Sequence, residues 1–426
     1  METLGFVAVL LCILAAAAIS RRIQGTILTL PMLYTSFGVL LGGLGLGLIH
    51  AEVESEGIRI IAELTLVMVL ASDASRINVR QLVRDHTLPQ RLLGVSLPLT
   101  MVLGTLVAAV LLGVLSFWEA AILAVILTPT DASLGQSVVT NPRVPVRIRQ
   151  SLNIESGLND GIAMPFLLLA IAMAAATGPG PGGIVGWLLS AVIQIGLGIL
   201  AGVVVGYLGV KFIEWGHDLG WMSEEFQKIS AVALILLAYG VAELVGGNGF
   251  IAAFCMGATA GNVGRKEQSK IVSEYVEVEV QVLILLAFLI FGAVMLPPAL
   301  DNLSAAIAVY AIISLALVRM VAVAISMRGA WVRPITTLFL GWFGPRGLAS
   351  ILYIFTVLDA EGIPGVDLIY DVAMVTVLVS IYAHGITAAP GAKWYGRKMA
   401  EIDEEHRQVR EIDEVSEMPL RVKAKP

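Results

Sequence analysis

The chain has 426 residues, of which 57% are hydrophobic and only 14% charged, with a mean hydropathy of +0.86, against about 25% charged residues in soluble domains. That balance excludes a water-soluble enzyme of this length, and a formal net charge of -6 disfavours a nucleic-acid partner. Cys12 and Cys255 each lie inside an apolar run and read as small packing residues.

Runs apolar enough to cross about 30 Å of hydrocarbon are expected near residues 4–20, 27–49, 57–73, 91–115, 118–138, 151–176, 183–213, 227–246, 249–263, 275–296, 302–326, 335–358 and 368–388. They make thirteen spans of one all-α integral membrane domain over residues 1–392, followed by a short polar tail over 393–426. The first run has no basic segment before it, and Arg21 and Arg22 follow it, so it reads as a retained helix rather than a cleaved signal. The tail is too short for a nucleotide-binding regulatory domain and is expected to be solvated.

Basic residues test the span count independently, because loops on the cytoplasmic side keep the excess of Lys and Arg. Alternate connections carry Arg21 and Arg22; Arg76, Arg80, Arg84 and Arg91; Arg143, Arg147 and Arg149; Lys211 and Lys228; Arg265, Lys266 and Lys270; Arg328 and Arg333. The tail carries the rest of the 27 basic residues, save Arg59, Arg319 and Arg346. The amino terminus is therefore expected outside and the carboxyl terminus in the cytoplasm. Arg59 falls near an outer span start, whereas Arg319 and Arg346 fall within apolar runs and require partners.

Thirteen spans put helix 1 and helix 8 in opposite directions, so helices 1–6 and 8–13 read as inverted copies. The fifth member of the first set is interrupted by Thr128-Pro129-Thr130-Asp131, and the fifth of the second by Gly344-Pro345-Arg346-Gly347. Broken helices at corresponding positions point to a transporter whose site lies near the bilayer midplane.

Charge sits at the same place. The sixth run carries Glu155, Ser156, Asn159 and Asp160, although a charged side chain at the bilayer centre costs about 2.5–3.5 kcal/mol on insertion scales. Positions four apart share a helical face. Ser156 and Asp160 make one stripe, expected to face Asp131 and a cation; Glu155 and Asn159 make the next, expected to face Arg319. Pro129 cannot donate a backbone hydrogen bond and disfavours helix at Thr128, freeing carbonyls beside Asp131. Carboxylate, carbonyl and hydroxyl oxygens suit hard cations, and no His/Cys cluster calls for a transition metal or a cofactor. Burial and a neighbouring carboxylate both raise a carboxyl pKa, so proton and cation could compete for Asp160.

Other residues admit plainer readings. Glu63, Asp73 and Glu243 fit interface snorkelling or local pairing better than an ion path. Arg346 either stabilises the second break or neutralises a helix dipole. His86, His217 and His406 read as solvated. A transporter of organic anions, a potassium channel or efflux system, and an intramembrane enzyme are the rival functions; the channel lacks a carbonyl-filter sequence and the enzyme lacks a His-Glu-x-x-His or Gly-x-Ser-x-Gly element.

At Thr130-Asp131, Glu155-Ser156-Gly157-Leu158-Asn159-Asp160, Arg319, Gly341-Trp342-Phe343-Gly344-Pro345-Arg346-Gly347 and His384-Gly385-Ile386-Thr387, the sequence resembles the cation:proton antiporter-1 family of sodium/proton exchangers. The resemblance implies a homodimeric, non-enzymatic antiporter of the cell membrane that exchanges Na+, Li+ or K+ for H+ and serves pH homeostasis, in which a core with two crossed broken helices moves against a dimerisation domain. It implies that Asp160 carries ion or proton, that Asp131, Ser156 and the Thr130 carbonyl help bind the cation, and that Asn159 and Glu155 support them, with Arg319 paired to Glu155. The Asn159-Asp160 pair implies electroneutral exchange. Many members place proline directly after the aspartate, whereas here Ala132 follows Asp131 and Pro129 precedes Thr130.

Overall fold

Helix occupies each of the thirteen apolar runs, as it must where no water is present to satisfy backbone N–H and C=O groups. The computed structural model describes residues 2–23, 26–85, 87–176, 183–263 and 276–405, with 411 and 415. His86, His406 and the basic cluster Arg265, Lys266 and Lys270 lie outside them. Besides the short segments Val79–Asp85 and Gln136–Val139, the helices in chain order are α1 (Glu2–Ile23), α2 (Leu30–Leu41), α3 (Glu56–Ser75), α4 (Thr87–Leu111), α5 (Phe117–Ile126), α6 (Val146–Ala176), α7 (Gly183–Asp218), α8 (Glu224–Leu244), α9 (Gly249–Val263), α10 (Val278–Asp301), α11 (Ala305–Ser326), α12 (Pro334–Trp342), α13 (Leu348–Leu358) and α14 (Val366–Glu405). Among the described residues, eight are long and apolar enough to cross a membrane unaided. The rest are shorter, except α3, which carries Glu56, Arg59, Glu63 and Asp73.

Local chemistry sets the ends. Pro31 opens α2 while the Thr29 hydroxyl accepts from the Met32 N–H at 3.4 Å. The run expected to 49 stops at Leu41 because Gly42, Gly43, Gly45 and Gly47 follow, the last at φ +60. Ser116 and Glu119 form a capping box on α5, and Glu119 also accepts the Gly365 N–H at 2.6 Å, tying α5 to the approach to α14. π-helical turns at Leu92–Ser96 and Phe291–Met295 precede Pro98 and Pro297, whose missing N–H groups relax the regular ladder. A third, Ser314–Val318, directly precedes Arg319.

The helices form two groups, α1–α3 with α7–α10 and α4–α6 with α11–α14, which meet mainly along α3, α6, α9 and α13, at the α6–α7 join and where α10 ends on α14. Lipid tails are as apolar as leucine, so such packing depends on close approach rather than on the hydrophobic effect. In α9, a Cβ on Gly257 or Gly261 would lie 2.1 Å from the Ala71 or Ser75 carbonyl of α3, so only glycine permits that crossing. By contrast α1 and α7 are peripheral, with 11% and 22% of their apolar windows buried.

The boundary expected at 392/393 falls inside α14, which runs unbroken to Glu405 through Pro390. The tail beyond is not wholly solvated either. Glu411 is 1% exposed and accepts from the Arg333 N–H at 2.7 Å and the Thr336 hydroxyl at 3.0 Å. The free N–H groups at the start of α12 draw that carboxylate in.

Candidate ion-binding site

The first interruption, residues 127–135, and the second, residues 343–347, touch each other inside the second helix group. The Asp131 N–H donates to the Pro345 carbonyl at 2.8 Å, and the Ser350 hydroxyl donates to the Ile126 carbonyl at 2.7 Å. Asp131 is 5% exposed, and one carboxylate oxygen accepts the Leu348 N–H at 3.1 Å while the other accepts the Ser133 N–H at 2.9 Å. A negative side chain from one break thus caps the positive end of α13 in the other.

Arg346 does the converse. Its guanidinium donates to the Gly344 carbonyl just past the end of α12, and its backbone N–H donates to the Ser380 hydroxyl at 2.6 Å. It is fully buried and forms no ion pair among the described residues. Of the two readings open from sequence, the contacts fit both at once, because the break and the negative helix end coincide.

The crossing has no room for side chains at its glycines. A Cβ on Gly344 would fall 1.8 Å from Arg319 Nε, and one on Gly347 would fall 2.6 Å from Asp131 Oδ2. Gly344→Ala is therefore expected to destabilise the protein by about 1–3 kcal/mol through overpacking. A thermal melt in detergent checks this, and an unchanged midpoint would contradict the crossing geometry.

α6 supplies the third wall. The Ser156 hydroxyl donates to the Thr130 carbonyl and accepts the Ala132 N–H, both at 2.7 Å, so it clasps the backbone on either side of Asp131. One turn along lies Asp160, 8% exposed and about 21 Å along the helix from Val146 at 1.5 Å per residue, near the middle of α6. Its main-chain carbonyl accepts the hydroxyl of Tyr353, a fully buried residue of α13.

The adjacent stripe divides. Arg319 grips Glu155 through two parallel bonds of 2.8 and 2.9 Å, with 3% and 2% of the side chains exposed. Asn159, expected to face Arg319 with Glu155, instead donates its amide to the Thr130 hydroxyl at 2.7 Å. The offset of about 100° per residue leaves that side chain within reach of the first break.

Two clefts reach the constellation. One, narrow, is lined by Thr130, Asp131, Ser156, Phe343 and Pro345, with Val138 and Val139. The other lies between α3 and α6 and is lined by Ser156, Ala132, Asn153, Asp73 and Arg76. Both lie toward the ends of α3 and α6 that carry the basic loops. Asp73 is 6% exposed and on the cleft wall, so of its two plainer readings, snorkelling and local pairing, the burial does not fit snorkelling. Its signal was the charge itself within an apolar helix. Glu63 and Glu243 do form the local contacts expected, with Arg59 at 3.4 Å and with the Gly249 N–H at 2.8 Å. No sequence signal pointed to Tyr353 or Ser380, which are unremarkable members of apolar helices.

Residues 6–394 match the family model described as sodium/hydrogen exchanger, transmembrane. A K(+)/H(+) antiporter, NhaP, of Alkalimonas amylolytica is 28% identical over 395 residues, covering 89% of this chain and 64% of the relative. A probable Na(+)/H(+) antiporter of Schizosaccharomyces pombe is 29% identical over 259 residues, covering 58% and 34%. The chain thus spans less than two thirds of the length of these curated relatives. The fold matches the sodium proton antiporter MjNhaP1 of Methanocaldococcus jannaschii with a TM-score of 0.74 at 18% identity, over 93% of this chain and 98% of that one.

Proposed function

The chain belongs to the sodium/hydrogen exchanger family, and on that premise we propose that this multi-pass membrane protein is a secondary antiporter, exchanging a monovalent cation for a proton at one carboxylate site. Asp160 takes either ion. Asp131, Ser156 and the Thr130 carbonyl complete an oxygen shell for the cation, while Asn159, Glu155, Arg319 and Arg346 hold the crossing in shape. The observation that carries the reading is the Ser156 hydroxyl, which clasps both flanks of Asp131 at 2.7 Å and stands one turn from Asp160 beside a narrow cleft. The Thr130 carbonyl keeps a second lone pair beyond the bond from Ser156, so it can still ligate.

Competition supplies the coupling. The charged, empty site is costly to carry through a low-dielectric barrier, whereas a proton or a cation neutralises it. Only the loaded forms then switch sides, and one cation moves for one proton, without net charge. The inverted order of the two six-helix sets suits such rocking. The basic-loop face is cytoplasmic in this reading, with the amino terminus outside, and the exposed apolar flanks of α1 and α7 fit a homodimer contact or lipid.

One relative carries potassium in its name and another sodium, so the proposal covers alkali cations and an assay separates them. Proteoliposomes holding a pH-sensitive dye and an imposed pH gradient are expected to collapse that gradient on addition of sodium, lithium or potassium. A gradient indifferent to all three would refute antiport. An imposed membrane potential is expected to leave the rate unchanged, and a clear change would refute electroneutrality.

A further inference from the structure

We propose that Arg59 and Asp359 form a latch, set above an apolar seal, that closes the site to the face opposite the basic loops and must open once in every transport cycle. The inference rests on the antiport reading above.

Arg59 is the single basic residue that the loop pattern leaves on the acidic face, and the structure gives it a purpose. It stands in the first turns of α3 and reaches Asp359, the residue that ends α13, at 2.5 Å. These two helices belong to different groups, so the ion pair bridges the boundary along which the groups meet. Directly beneath it, Ile58, Ile61 and Ala62 of α3 and Ile351, Leu352 and Phe355 of α13 line a narrow space closed on a third side by Ala287, Ile290 and Met295 of α10, with no polar residue among them. Toward the other face the same boundary is polar, with Asp73, Arg76, Asn153 and Ser156. Among the described residues, the polar lining of this boundary thus lies toward the basic face and the apolar lining toward the acidic one.

A hydrated cation cannot cross an apolar constriction without losing its shell. Access from the acidic face thus requires α13 to part from α3, and the Arg59–Asp359 contact cannot survive that separation. Its exposure suits the role. With 48% and 33% of the side chains accessible, the pair is screened and weak enough to break repeatedly. Glu63, one turn along α3 at 3.4 Å, keeps a partner for Arg59 when Asp359 leaves. Among the described residues Asp359 has no such substitute: burial holds its carboxyl above the ordinary range, Arg59 opposes that rise and Glu63 adds to it. Tyr239 of α8 faces the same cluster.

The test uses the full chain with Cys12→Ser and Cys255→Ser, reconstituted in proteoliposomes. Arg59→Cys combined with Asp359→Cys and bridged by a short bis-methanethiosulfonate is expected to lose exchange and to regain it on reduction, while each single cysteine treated alike keeps its rate. Undiminished exchange by the bridged protein would overturn the latch. Ile351→Cys supplies an independent readout. Its labelling by an impermeant thiol reagent from the acidic face is expected to rise several-fold with Asp359→Asn and to fall back in the charge swap Arg59→Asp with Asp359→Arg. Labelling indifferent to these changes would also overturn it. The cysteine-free parent separates the two ideas, because absence of exchange there contradicts antiport itself and leaves the labelling result to judge the latch.

Discussion

Asp160→Asn is expected to abolish pH-driven cation exchange in reconstituted vesicles while the protein folds and melts as before. Asn matches Asp in shape, so the packing of α6 around a residue 8% exposed is kept. What disappears is the exchangeable proton and the charge that holds the cation. One unit charge at about 4 Å contributes ~4 kcal/mol at an effective dielectric of ~20, which corresponds to roughly a thousandfold in affinity. Exchange at the parental rate would sink the assignment of Asp160. Asp131→Asn makes the informative comparison. Both its carboxylate oxygens accept backbone N–H groups, one of them at the start of α13, so this variant is expected to lose thermal stability as well as exchange. Equal melting of the two variants would show that Asp131 does not cap α13.

Arg319→Ala is expected to be the most destabilising of the charge-removing changes, by about 3–5 kcal/mol, because it leaves Glu155 buried without its partner. The pair is almost fully enclosed and doubly bonded, so solvent cannot compensate. Adding Glu155→Gln to Arg319→Ala is expected to restore part of the lost stability, since a neutral amide is far cheaper to bury than a lone carboxylate. Thermal denaturation of the four proteins of this double-mutant cycle measures the coupling. Additive losses would mean that the two residues act independently.

Much of this protein is local and therefore legible along the chain. Apolar length set the helices, because hydrocarbon leaves the backbone no other partner than itself. Pro129 and the Gly344–Gly347 stretch announced the breaks, since missing N–H donors and glycine flexibility act within a few residues. The i,i+4 spacing on α6 put Ser156 beside Asp160, and the isolated charges Glu155 and Arg319 implied each other because neither can be buried alone. What the tertiary structure decided was the other pairings between distant residues. Asp131 caps a helix more than two hundred residues away, Asn159 turns to Thr130 rather than Arg319, Tyr353 holds the Asp160 carbonyl and Asp73 lines a cleft. These depend on how two broken helices cross and how closely two helix groups approach. Periodicity and hydropathy describe one helix at a time and carry no term for that geometry. Asp131 and Asp160 were therefore visible as candidates, while their different tasks emerged only from the crossing.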